Sequence, residues 1–181
     1  MVVQERRMNR KNLREVRRHL NARVIRPFAR SLPWPYNGMV NDLASAIQSG
    51  SNFLAALGLA AYTEVCGKQI VFGGNSQKSY DACFNGFLGY MGLREVLDWK
   101  IVYQGHSKKI KDAVRNGLVH EYFLKAHRGA VKMITTNKDA NRLGFIRKDS
   151  GELIMVVVPY FKLFCAALRK AKAEGKLTWK E

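Results

Sequence analysis

The stretch from Met39 to Cys66 constrains the fold more than any other. It is rich in alanine and leucine, and Leu43, Ala46, Ile47, Phe53, Leu54, Leu57, Ala61 and Val65 recur at the spacings of three and four that line one side of a helix. Ser49-Gly50-Ser51 is its one irregularity, and Gly67 is placed to stop the second helix. A helix pair this apolar is core, and it has to be covered by other elements. The expected fold is mainly α.

The flanking sequence sets the boundaries. Pro33, Pro35 and then Asn37-Gly38 end any preceding helix, which divides a basic arm with its Pro-rich link, residues 1–36, from a helical domain, residues 37–181. Ser76 is the expected N-cap of a further helix through Tyr80, Cys83, Phe84, Phe87, Leu88 and Met91. Gly73-Gly74 before it resembles a phosphate-cradling loop only superficially. The lysine followed by Ser or Thr is missing and the preceding strand is no more than Ile70-Val71-Phe72, so a turn is expected. Leu93–Tyr103 reads as a short helix or extended link, and Lys108, Lys109 and Lys111 lead a helical approach to Arg115.

Beyond residue 128 the apolar period changes from 3.6 to 2. Ala130–Thr135, Arg142–Arg147 and Glu152–Val158 are short and β-branched, and Lys148-Asp149-Ser150-Gly151 makes a hairpin turn, so a small antiparallel hairpin or meander is expected. Pro159 suits the first position of a last helix, on which Phe161, Phe164, Leu168 and Ala171 share a face and which Gly175 ends.

Charge narrows the partners. Lys and Arg outnumber Asp and Glu by 31 to 14, a net +17, which points to nucleic acid first and an anionic membrane surface second. Within residues 1–30, ten cations face only Glu5 and Glu15. Leu13, Val16, Leu20 and Val24 make residues 9–25 a basic amphipathic helix carrying Arg10, Arg14, Arg17 and Arg18. Such a helix grips phosphates, lies on anionic lipid, or packs its thin apolar stripe on the body; the spacing leaves all three open. The apolar runs Phe53–Tyr62 and Leu153–Phe161 are shorter than the roughly 18–20 residues that span a bilayer, so no membrane span is expected. Cys66, Cys83 and Cys165 have no C-x-x-C or zinc spacing and read as small core residues in a reducing compartment, with the cytoplasm the default.

The chemistry concentrates in Arg115-Asn116-Gly117-Leu118-Val119-His120-Glu121-Tyr122-Phe123. A planar cation, an imidazole titrating near neutral pH and a phenol are what phosphate chemistry asks for. The R-x4-H spacing by itself says little, because Arg14 and His19 repeat it. In an uninterrupted α-helix such a pair points about 140° apart. Asn116 and Gly117 distinguish the second occurrence: a bend at the glycine lets Arg115 and His120 face one space. Lys108, Lys109, Lys111 and Lys125 surround the motif as candidate RNA phosphate contacts, together with Arg10, Arg14, Arg17 and Arg18 of the arm. His106 and His127 could join His120 at a metal, but no carboxylate spacing supports this, and neither metal nor cofactor is expected.

Arg115-Asn116-x3-His120-x-Tyr122 resembles the R-x(4–6)-H motif of the HEPN superfamily (higher eukaryotes and prokaryotes nucleotide-binding domains), in its R-x4-H-x-Y form. The order of a helix pair followed by a motif helix, over roughly residues 39–127, agrees with that family's helical bundle; the strands and the arm lie outside its minimal fold. The resemblance implies a metal-independent endoribonuclease, as in HEPN toxins and phage-defence effectors. Arg115 and His120 would be catalytic, with Asn116 and Tyr122 in support. It also implies a homodimer that joins two motif helices into a composite site. In some toxin systems a partner nucleotidyltransferase modifies the tyrosine of this motif. Members of the superfamily that bind RNA or nucleotide without cutting supply the alternative.

Overall fold

The computed structural model describes residues 22–121, 124, 126, 128–134, 138–149 and 152–179. The mainly α expectation holds. Helices α1 (Ala22–Arg30), α2 (Tyr36–Gln48), α3 (Asn52–Cys66), α4 (Tyr80–Tyr90), α5 (Arg94–Leu97), α6 (Lys138–Leu143) and α7 (Val157–Ala173) are joined by two π-helical segments, Gly67–Val71 and Asp112–Glu121. Among the described residues no helix is long and apolar enough to cross a membrane.

α3 sits at the centre, with α2, α4, α7 and the π-helix Asp112–Glu121 packed around it. Its buried positions are Ala55, Ala56, Leu59, Ala60, Thr63 and Cys66. That face differs from the expected one: Leu54 is exposed, and Phe53, Leu57, Ala61 and Val65 are only half-buried. The helix is apolar nearly all round, so bulk decides its orientation. The alanines turn inward because small side chains let several neighbouring helices approach together. On α2 and α7 the expected faces are the buried ones, through Leu43 and Ile47, and through Phe161, Phe164, Leu168 and Ala171. α7 ends at Gly175, where φ is +67° and the amides of Gly175 and Lys176 bond back to the carbonyls of Lys172 and Ala171. That paired closure takes a left-handed residue, and glycine adopts it without strain.

Gly67 does not stop α3. Its backbone is helical and the chain runs on through one π-helical turn, so the Ile70-Val71-Phe72 strand is absent. Gly73-Gly74 forms the expected turn, both residues at positive φ, but Ser79 and not Ser76 caps α4, accepting a hydrogen bond from the Ala82 amide.

The segment before α2 joins the same core. Ala29, Leu32 and Tyr36 are buried, the Arg169 guanidinium lies 4.2 Å from the Phe28 ring centroid, and Lys172 Nζ donates to the Ser31 carbonyl. The Tyr36 hydroxyl donates to the Thr178 carbonyl, tying the C-terminal tail to the start of α2.

The expected link before Arg115 holds a short helix, α5, and a hairpin of β1 (Ile101–Tyr103) and β2 (His106–Lys108). The three later strands are β3 (Arg128–Lys132), β4 (Phe145–Arg147) and β5 (Glu152–Val156), in the order β3-β5-β4. β4 and β5 make the expected antiparallel hairpin, whereas β3 pairs with β5 in parallel. Arg142 and Leu143 belong to α6, which carries the chain from β3 towards β4 and turns a meander into a crossover. β5 passes into α7 without a loop.

A buried hydroxyl pair fastens α7 to α3: Thr63 Oγ1 and Tyr160 Oη lie 2.8 Å apart. Burial raises the Tyr160 phenol above its ordinary pKa, so the bond is between neutral groups. Tyr160→Phe is expected to cost about 1–2 kcal/mol by orphaning the Thr63 hydroxyl. Adding Thr63→Val should recover most of that loss, since two apolar partners need no bond. Thermal denaturation of the single and double variants checks it.

Candidate functional site

Arg115 lies on the π-helix Asp112–Glu121, which packs against α3. The expected bend at Gly117 does not occur: Gly117 is buried and the helix continues through it. The helix type solves the geometry in another way. In a π-helix each amide bonds to the carbonyl five residues back, so position i+5 comes round almost over position i. Positions 115 and 120 are one such step apart and stand on the same side of the helix. The spacing that sets two positions on different sides of an α-helix sets them on the same side of this one.

The guanidinium is held from several sides. Its Nε donates to Glu64 Oε2 at 2.6 Å, one terminal nitrogen donates to Glu64 Oε1 at 3.4 Å, and the other donates to Asn116 Oδ1 at 3.2 Å. Asn116 Nδ2 donates in turn to Asp112 Oδ1 at 3.0 Å. The Arg115 and Glu64 side chains are only 18% and 14% exposed, which weakens solvent screening of the pair. The Tyr80 ring, at the start of α4, lies 5.7 Å from the guanidinium carbon. Asn116 thus helps to orient Arg115.

The candidate phosphate-binding lysines separate. Lys111 is buried and ion-paired with Asp81 of α4, so it joins helices and does not stand open to solvent. Lys108 is half-buried at the end of β2, and Lys109 is exposed. Tyr122, Lys125, His127 and the arm residues Arg10, Arg14, Arg17 and Arg18 lie outside the described residues, and of His120 the backbone is described. Among the described residues no group of three His, Cys, Asp or Glu side chains is placed to hold a metal. Cys66, Cys83 and Cys165 are free and buried, and burial pushes the Cys165 thiol up to about 12, as befits core residues.

No family model, curated protein or solved structure matches this chain. The site therefore stands on its own residues.

Two of its members, Glu64 and Tyr80, carry no signal in the sequence. Glu64 sits among apolar residues of α3 with nothing local to mark it; its partner is 51 residues away. Tyr80, at the start of the expected helix, is 67% exposed. Glu64→Ala should cost about 2–3 kcal/mol, somewhat below the full penalty for breaking a buried pair because both groups keep some solvent. Glu64→Gln, which keeps an acceptor, should cost less. Urea denaturation of the two variants gives the comparison, and equal midpoints to the wild type would show the pair to be ornamental.

Proposed function

We propose that this chain is a metal-independent, HEPN-type endoribonuclease. The observation that carries the reading is the π-helical register, which sets positions 115 and 120 on one side of a helix with Arg115 fixed in orientation by Glu64 and Asn116. In the proposed reaction the His120 imidazole takes the ribose 2′-OH proton as O2′ bonds to the adjacent phosphorus. The P–O5′ bond breaks, leaving a 2′,3′-cyclic phosphate, and O5′ takes a proton from the imidazolium of a second copy. Arg115 steadies the added charge on the phosphoryl oxygens through charge-assisted hydrogen bonds. A homodimer supplies the second imidazole, and Tyr122 is the group a nucleotidyltransferase partner would modify to silence the site. DNA lacks the attacking hydroxyl and stays intact.

One observation favours a second reading, a HEPN-fold module that binds RNA or nucleotide without cutting. The Glu64 carboxylate already occupies one edge of Arg115, as in an ion pair kept for structure.

Incubating RNA with the wild-type protein, His120→Ala and Arg115→Ala, each with and without EDTA, separates the two. Cleavage that survives the chelator, leaves cyclic phosphate ends and disappears in both variants supports the enzyme. Tight RNA binding with no cleavage, unchanged in His120→Ala, sinks it.

A further inference from the structure

Tyr80 is one of five large apolar side chains exposed among the described residues, and its ring lies against the Arg115 guanidinium. With 67% of the residue in solvent, the ring is far from enclosed by that contact. The first turn of a helix fixes its position: Ser79 caps the helix through the Ala82 amide, and Asp81, the next residue, is pinned by its ion pair with Lys111. The ring is thus an exposed aromatic plate on a rigid mount beside a fixed cation.

Among the described residues, two of the three carboxylates around the plate are ion-paired and the third is hydrogen-bonded. Glu64 is paired with Arg115, Asp81 with Lys111, and Asp112 accepts a hydrogen bond from Asn116. A phosphodiester approaching Tyr80 meets carboxylates already engaged by partners. We propose that Tyr80 is a stacking platform for an unpaired RNA base next to the phosphate held at Arg115, and hence that the substrate is single-stranded. This deepens the ribonuclease reading and rests on it for the identity of the ligand. Bases in a duplex are covered on both faces by their neighbours, whereas the splayed bases of single strands, loops and bulges stack readily on aromatic side chains. Stacking also tolerates any base, because every base has a π-face. The platform therefore sets strandedness and leaves sequence preference to other contacts.

Fluorescence anisotropy with a 2′-O-methylated RNA oligonucleotide, which binds but lacks the attacking hydroxyl, tests the proposal. The wild type should prefer the single strand to a blunt duplex of the same sequence. Tyr80→Ala should weaken single-strand binding about tenfold while Tyr80→Phe stays within about twofold, and neither should shift the melting temperature. Undiminished binding by Tyr80→Ala, or a wild-type preference for duplex, overturns the platform. The two readings fail separately. Tyr80-dependent binding with no cleavage of unmethylated RNA removes the enzyme and keeps the platform; binding and cleavage both untouched by Tyr80→Ala remove the platform and keep the enzyme.

Discussion

Gly67→Ala is expected to lower stability by about 3 kcal/mol, which for a chain of this size is a drop in melting temperature of about 6–12 °C. A Cβ at this position would sit 3.0 Å from Cys83 Cα and closer still to the Cys83 carbonyl. The obstacle is backbone, which cannot step aside as the end of a flexible side chain can. Either α4 moves away from α3 or the π-helical turn at Gly67–Val71 is rebuilt. Gly38 provides the control. It too is helical, but a Cβ there meets nothing within 4 Å, so Gly38→Ala should be neutral or slightly stabilising. Thermal melts of the two variants side by side decide the matter, and similar melting temperatures would refute the close-approach argument.

His120→Ala is expected to reduce RNA cleavage by about 10²- to 10⁴-fold, the usual contribution of a positioned proton carrier. Arg115→Ala should cost about 10²- to 10³-fold, in line with losing a fixed donor to transition-state charge. Arg115→Lys should restore little, because an ammonium keeps the charge but loses the planar fork that engages Glu64 and Asn116 and, in the proposed reaction, a phosphate. Rates are to be taken per folded molecule, since removing Arg115 also strands the mostly buried Glu64 carboxylate. Undiminished cleavage by His120→Ala, measured by the release of cyclic phosphate, would remove histidine chemistry from the mechanism.

Much of the scaffold was legible in the residues. Phe161, Phe164, Leu168 and Ala171 marked the buried side of α7, and the β4–β5 hairpin followed from alternation around a polar turn. The phase of α3 is not legible, because its surface offers too little polar contrast to choose a face. The parallel pairing of β3 with β5 escaped because alternation identifies a strand and says nothing of its neighbour. The π-helix was invisible for a deeper reason. Its hydrogen-bond register has no residue signature, and the sequence shows only a glycine, which suggests a bend. The candidate site was half legible. The motif announced Arg115, Asn116 and His120, while Glu64 and Tyr80 joined it only through contacts distant in the chain.

The glycine at 67 has a meaning beyond stability. Glu64 lies one helical turn before Gly67 on α3, and Tyr80 lies one turn before Cys83 on α4. The backbone contact of Gly67 with Cys83 therefore works like the pivot of a pair of calipers whose jaws, Glu64 and Tyr80, close on Arg115. A methyl group that pushed the pivot apart would widen the jaws, so a substitution touching no proposed catalytic atom would change how Arg115 is held.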